Sequence, residues 1–317
     1  MLLAVTSNPT IDRTLHMPAM TLGAVHRTTQ VHLAAGGKGI NVCRAALKLG
    51  CEVLTTGPLA GRAGQIVDDL AANENLPVDW YWLSSGETRT CTLISHNNND
   101  DATIINEAGP QVSAEDWAGF ALHVERLAAN VKAITFSGSP MVGIEPDALG
   151  KLARSLATAD RAVYIDTGED ALSAILARPK DLCIQVNQSD LAVGLGLPLE
   201  NAPPDRVWRT LIEGGKMLLD RGAALVVVTL GQAGTLAIAP TGVWQASPPA
   251  IKVASTAGCD DAFLAGLATA RLEGQSVEAA VAFAVACGTA SAMTAQPARF
   301  ERTEVEKLLK QITVQPF

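Results

Sequence analysis

Between residues 113 and 229 the chain alternates between two kinds of segment. Helical spacing over 113–129, 145–157, 170–177 and 205–221 is followed each time by a short aliphatic run, at 133–138, 162–166, 182–187 and 225–229. Runs that are apolar on both faces need cover on both faces, and strands joined through helices lie parallel. The pattern therefore predicts an α/β fold, a mainly parallel sheet between two layers of helices. Ligands in such folds collect where the strands end. The ends here are Ser137-Gly138-Ser139-Pro140, Asp166-Thr167-Gly168-Glu169 and Thr229-Leu230-Gly231-Gln232-Ala233-Gly234.

The first hundred residues are less regular. Residues 2–6 read as a first strand, ending at Asn8-Pro9-Thr10-Ile11-Asp12. Residues 52–57 read as a strand and 61–73 as a helix. Residues 13–35 carry β-type side chains without a helical period, and 88–95 is strongly β-like. Asn97-Asn98-Asn99-Asp100 reads as a turn, with a return strand at 103–105. The uncharged stretch 279–295 falls short of the roughly 20 residues a membrane span needs, and predicts a buried helix against the sheet.

A chain of 317 residues can bury a large core, and 48% hydrophobic with 18% charged residues is neither disordered nor fibrous. A net charge of −8 argues against a nucleic-acid partner. The five histidines show no metal-ligand spacing. The six cysteines are dispersed without a C-x-x-C pair, as in a reduced, cytoplasmic protein. The amino end lacks a basic leader region, so neither secretion nor a membrane is expected. Repeats and low-complexity linkers are absent from the sequence, and Ala202-Pro203-Pro204 and Pro248-Pro249 read as turns.

Two glycine-rich stretches each open a helix. One is Ala35-Gly36-Gly37-Lys38-Gly39-Ile40-Asn41-Val42-Cys43-Arg44, the other Ala254-Ser255-Thr256-Ala257-Gly258-Cys259-Asp260-Asp261-Ala262-Phe263. Glycine lets backbone N–H groups approach a ligand, and a helix start attracts anions. A carboxylate fixed beside a bound phosphate can take the proton of an attacking hydroxyl. An ordinary capped helix would also explain either stretch alone. The first is neither a Walker A loop nor a dinucleotide fingerprint, because both spacings are absent.

In that order, over 200 residues apart, the two stretches resemble the signatures of the ribokinase-like (PfkB) sugar kinases, GGKGxNxA and TxGAGDxFxAG. Asn8-Pro9-Thr10-Ile11-Asp12, Ser137-Gly138-Ser139-Pro140 and Asp166-Thr167-Gly168-Glu169-Asp170-Ala171-Leu172 resemble further landmarks, with the 1-phosphofructokinase and tagatose-6-phosphate kinase branch nearest. The resemblance implies a ribokinase-like three-layer α/β/α domain over 1–12, 36–86 and 108–317, with a small β lid at 13–35 and 87–107. It implies ATP-dependent phosphorylation of a hexose phosphate, fructose 1-phosphate to fructose 1,6-bisphosphate foremost. Fructose 6-phosphate, tagatose 6-phosphate, or an unphosphorylated sugar or nucleoside are the other acceptors.

Residue by residue, the resemblance makes Asp261 the base and the backbone of Gly258, Cys259 and Asp260 an anion hole. Asp12, Gly37, Lys38, Asn41, Arg89 and Arg27 would hold the sugar phosphate. Asn187, Thr229, Gly231 and Gly234 would face the nucleotide, with Asp190 reaching magnesium through water. ATP and Mg2+ are implied, with a monovalent cation such as K+, and a homodimer formed through the lid. Two departures stand out. Asp260 replaces a glycine, and Gln185 in Gln185-Val186-Asn187-Gln188-Ser189-Asp190 replaces a lysine. Both support a rival reading, a weakened kinase that only binds sugar phosphate, whereas Arg27 and Arg89 argue against a neutral sugar.

Overall fold

A computed structural model describes residues 1–96, 102–199 and 202–317. Among these, nine strands form the central sheet, in the order Thr313–Pro316, Gly242–Ser247, Thr235–Ala239, Leu225–Thr229, Leu182–Asn187, Ala162–Asp166, Ala133–Ser137, Leu2–Thr6 and Val53–Thr56. The six from Leu225–Thr229 to Val53–Thr56 are parallel to one another. The remaining three extend the sheet antiparallel. Two of them, Thr235–Ala239 and Gly242–Ser247, escape a reading built on helix–strand alternation, because they follow the parallel core as hairpins with no α-helix between.

Alternation along Leu2–Thr6 shows how the layers form. Leu2 and Ala4 face a core shared with the helices Lys38–Lys48, Cys259–Leu272, Val277–Ala292 and Arg302–Leu309. Leu3 and Val5 face the opposite core, under Ala114–Ala128, Ala148–Leu156, Glu169–Ala177 and Pro204–Asp220. Phe120 and Phe136, both fully buried, anchor this second core, and truncating either to alanine should cost about 3–5 kcal/mol. The apolar stretch near 279–295 is the helix Val277–Ala292, begun by the Ser276 hydroxyl, which accepts from Ala279 N–H. It is buried against the helix Cys259–Leu272 and the antiparallel strands.

A second sheet of four strands, in the order Gln30–Gly36, Thr10–Met17, Arg89–His96 and Ala102–Asn106, projects over the strand ends. Its central pair is parallel and its two outer pairs antiparallel. The turn read at Asn97-Asn98-Asn99-Asp100 lies outside the described residues. Strand Thr10–Met17 enters this sheet two residues before Asp12, so Asp12 is itself a lid-strand residue. Ile11 and Ala35 pack with Ile40, Leu59, Val67 and Ala71, which fastens the lid base to the helices Lys38–Lys48 and Gly61–Asn73. No helix among the described residues is long and apolar enough to cross a membrane.

Candidate active site

The strand order reverses between Leu2–Thr6 and Ala133–Ser137: the next strand in sequence lies on one side for the first and on the other side for the second. The crevice at such a reversal is where open α/β sheets bind ligands. A cleft of about 1430 Å3 opens there, with Asn8 and Gly138 at the strand ends and the inner face of the lid opposite. Thr10, Asp12, Thr14 and His16 alternate along one lid strand, and all four line the cleft.

Both glycine-rich helix starts reach this cleft, and neither has a side-chain cap. Gly37 has φ 114 and Gly258 φ 75, in the left-handed region that favours glycine. A Cβ at Gly36 would lie 2.1 Å from the carboxyl carbon of Asp12, and one at Gly258 would lie 2.6 Å from Pro297. The glycines thus let the loops close against Asp12 and the segment around Pro297, leaving backbone donors at the helix starts toward the cleft.

Asp261 sits in the first turn of Cys259–Leu272 and is 4% exposed. Asn41 Nδ2 donates to its Oδ2 at 2.8 Å. Burial pushes the Asp261 carboxyl up to about 7, against the pull of Lys38 and the Asn41 hydrogen bond, with Asp166 and Asp260 adding to the rise. A carboxyl tuned to that range can take a proton near neutral pH. Lys38 Nζ donates to both carboxylate oxygens of Asp166, at 3.0 and 3.1 Å. Burial works against the Lys38 ammonium, but Asp166 and Asp261 outweigh it and hold the ammonium above its ordinary range. Asp12 is raised to about 6 by burial, with Arg44 and Arg89 pulling it down.

Arg89 is half-buried at the lid base. Its guanidinium donates to the carbonyl of Asn8 from Nε at 3.3 Å and Nη2 at 3.1 Å, and to that of Glu107 from Nη1 at 3.2 Å. These bonds aim it along the cleft wall beside Asp12.

Asp12, Gly37, Lys38, Asn41, Arg89, Gly258, Asp260 and Asp261 thus share one cleft. Cys259 does not line it; its thiol points to the Ser255 carbonyl, 3.7 Å away. Arg27 is exposed in the connection between two lid strands and is not brought to the cleft. Asn187 and Asp190 pair with each other: Asn187 Oδ1 accepts from Asp190 N–H, and Nδ2 donates to its Oδ2, both at 2.8 Å. Thr229 ends the adjacent parallel strand, Gly231 opens the short 3-10 turn after it, and Gly234 closes that turn. Asp260 joins the two regions. Its carboxylate lies at an exposed corner against the Thr229 hydroxyl; surrounding protein and then Asp166 push it up, against Lys38 and Thr229. Gln185 does not face open solvent as a phosphate-binding lysine would, but donates from Nε2 to the Asp260 carbonyl at 3.0 Å.

Behind Asn41 lies a buried group that the motif alone did not assign. Arg44 follows three residues later on the same helix face and donates to Asn41 Oδ1 at 2.6 Å. That spacing was a usable signal. Glu74, which accepts from Arg44 Nε at 2.8 Å, is 30 residues away and carries no local signal. Arg299 closes the row, 2.8 Å from the same carboxylate.

A doubly wound sheet with uncapped helix starts around a buried carboxylate defines a group-transfer enzyme that handles anionic, phosphate-like groups. The chain matches the pfkB family carbohydrate kinases over residues 5–301 and belongs to that family. Its ribokinase-like fold is accordingly that of an ATP-dependent sugar kinase. Among solved structures, it is similar to a Staphylococcus aureus protein provisionally assigned as a phosphofructokinase, at 26% identity and TM-score 0.81, covering 100% of this chain and 99% of that one. The Escherichia coli phosphofructokinase-2 in complex with substrates and products is 25% identical over 98% of each chain, with TM-score 0.87. A Thermotoga maritima protein provisionally assigned as a 1-phosphofructokinase is 22% identical over 100% of this chain and 99% of that one, with TM-score 0.86.

Proposed function

We propose that this chain transfers the γ-phosphoryl group of ATP to a hydroxyl of a hexose phosphate, with fructose 1-phosphate giving fructose 1,6-bisphosphate as the leading pair. The observation that carries the reading is the placement of a guanidinium, Arg89, in the same cleft as Asp12 and Asp261. A phosphate arm would meet Arg89, sugar hydroxyls would meet Asp12 and Asn41, and the acceptor hydroxyl would meet Asp261. The hydroxyl oxygen forms a bond to the γ-phosphorus as the bond to the β-γ bridging oxygen breaks. The proton passes to Asp261, and ADP leaves. The backbone N–H groups of Gly258 and Asp260, that of Cys259 once it turns from the Thr256 carbonyl to which it donates at 3.3 Å, and Lys38 would receive the charge that spreads over the transferring group.

The nucleotide is read onto the Asn187, Thr229, Gly231 and Gly234 side, reached through Asp260. Among the described residues, no group of three or more histidine, cysteine or acidic side chains could hold a metal unaided. That fits magnesium arriving on the ATP phosphates, with Asp190 reaching it through water. The Escherichia coli relative has been crystallised with potassium, which supports a monovalent cation here, tested by activity in KCl against NaCl. The lid's outer face carries exposed Val31, Leu33 and Ile105, opposite the side of Asp12, and we read it as the face of a homodimer. The domain division follows the same reading, with the lid formed by the strands Thr10–Met17, Gln30–Gly36, Arg89–His96 and Ala102–Asn106 and so beginning at Thr10 rather than at residue 13.

A coupled ADP-release assay tests the function across fructose 1-phosphate, fructose 6-phosphate, tagatose 6-phosphate, free hexoses and nucleosides. The reading expects turnover with a hexose phosphate and a preference over the free sugar. Binding without ADP release would replace it with the binding-only reading.

A further inference from the structure

Arg44 is buried, and every nitrogen of its guanidinium is committed. Nε and Nη2 donate to the two oxygens of Glu74 at 2.8 and 3.1 Å, Nη2 also donates to the Ala35 carbonyl at 2.9 Å, and Nη1 donates to Asn41 Oδ1 at 2.6 Å. An asparagine amide can face a carboxylate in two ways, with its NH2 group or with its oxygen, and the second is repulsive. Arginine has donors and no acceptor. By occupying Oδ1, Arg44 leaves only the NH2 group to face Asp261, and Nδ2 donates there at 2.8 Å. The Ala35 bond holds the strand end that leads into Gly36, the residue packed against Asp12.

We propose that Arg44 is a positioning residue for phosphoryl transfer: it locks the amide of Asn41 so that Asp261 receives a donor and stays an acceptor aimed into the cleft. The proposal rests on the reading of Asp261 as the base. Four groups set the charge on Asp261: Lys38 and Asn41 from the helix Lys38–Lys48, Asp166 from its strand end, and Asp260 beside it. Arg44 acts on it through Asn41 alone. Glu74 keeps a second guanidinium, Arg299 at 2.8 Å, so removing Arg44 does not strand that carboxylate.

The experiment measures kcat against pH for the parent, Arg44→Met, Arg44→Lys and Asn41→Leu, together with Tm and the KM for ATP. In Arg44→Met the amide can turn its oxygen to Asp261, so the acid limb of kcat should move up by about one pH unit. At neutral pH kcat should fall roughly 5–10-fold, as a limb moved from about 7 by one unit implies, with the KM for ATP within about threefold. Arg44→Lys, with three donors instead of five, should recover part of both effects. Adding Arg44→Met to Asn41→Leu should move the limb no further. An acid limb that stays in place in Arg44→Met, or that shifts again in the double variant, overturns the proposal. If Arg44→Met does not fold, Arg44→Leu combined with Glu74→Gln leaves no buried charge unpaired, offers Asn41 Oδ1 no donor, and gives the same readouts. Asp261→Asn separates the two ideas. Retained turnover there removes the base itself, whereas a dead Asp261→Asn beside an unmoved Arg44→Met limb removes only the role of Arg44.

Discussion

Asp260→Gly should make the enzyme faster and the protein less stable. The position is the first-turn neighbour of Asp261, and the family's loop carries glycine there. Its carboxylate points toward Thr229, with Lys38 the counter-charge and Asp166 and Asp190 the like charges around it. A phosphoryl group held by the backbone of 258–260 would come within about 4 Å of that carboxylate, a repulsion of about 4 kcal/mol at an effective dielectric near 20 and about 1 kcal/mol in bulk water. Asp260 is exposed, so the aqueous end of that range applies. Removing the charge should raise kcat about 3–10-fold at saturating substrates, with the larger gain at low ionic strength. Stability moves the other way. Glycine inside a helix costs about 1 kcal/mol, partly offset because the surroundings push the Asp260 carboxyl up and so disfavour its charge. Tm should therefore fall by a few degrees, at roughly 2–4 °C per kcal/mol. The assay is kcat at two salt concentrations beside a thermal melt of the same preparations. A fall in kcat refutes the reasoning, because it means that the carboxylate assists transfer.

Asp261→Asn should abolish turnover while leaving ATP affinity within about threefold in a titration, because the amide keeps the shape but cannot take the proton. Arg89→Ala should raise the KM for the sugar phosphate roughly 30–100-fold with the KM for ATP nearly unchanged, the loss of a charge-assisted contact of about 2–3 kcal/mol; an unchanged sugar-phosphate KM removes Arg89 from the site. The parent's kcat should rise with pH along a limb near pH 7, set by an Asp261 carboxyl raised to about 7 by burial. The same shift has a stability sign. The folded state holds this proton more tightly than the unfolded chain does, so stability falls as pH rises from about 4, the ordinary aspartate range, toward the folded value. Asp261→Asn should therefore melt higher than the parent at pH 8, and the difference should shrink toward pH 4. Gly36→Ala should lose both sugar-phosphate affinity and Tm, because its Cβ would sit 2.1 Å from the Asp12 carboxyl carbon.

What the sequence made legible follows from the range of the interactions involved. The parallel core was readable because each strand is a continuous apolar run preceded by its own helix, as at 133–138 after 113–129. The hairpin Thr235–Ala239 to Gly242–Ser247 was not readable, because its first strand carries the same apolar run without a helix to mark it. The shared placement of Asp12, Lys38, Asn41 and Asp261 was legible through local motifs, which the structure brings to one cleft. Three pairings were hidden. Lys38 to Asp166 spans 128 residues, Arg44 to Glu74 spans 30, and Gln185 to Asp260 spans 75, and in each the partner is set by how helices and strands pack rather than by local spacing. Arg27 illustrates the converse: the resemblance assigned it a phosphate, but its own chain holds it in an exposed connection away from the cleft.

The two departures from the family pattern are one structural unit. Gln185 and Asp260 lie 75 residues apart, yet the Gln185 amide donates to the Asp260 carbonyl at 3.0 Å, and the Asp260 carboxylate lies against Thr229 on the neighbouring strand. A lysine at 185 would place a cation beside this loop; glutamine replaces it with a neutral donor, and Asp260 adds an anion. Together the two changes shift the local charge by two units toward negative. Lys38 is the cation that faces this excess, with Asp166, Asp260 and Asp261 all acting on it. Its ammonium cannot satisfy three carboxylates, and geometry awards it to Asp166 at 3.0 Å. Asp261 keeps the longer-range pull of Lys38 and, among the described residues, one side-chain hydrogen bond, from Asn41, so that amide's orientation bears directly on whether the carboxylate stays an acceptor. The helix start that carries Asp260 is thus also the one whose Asp261 is backed by the buried Arg44–Asn41 pair.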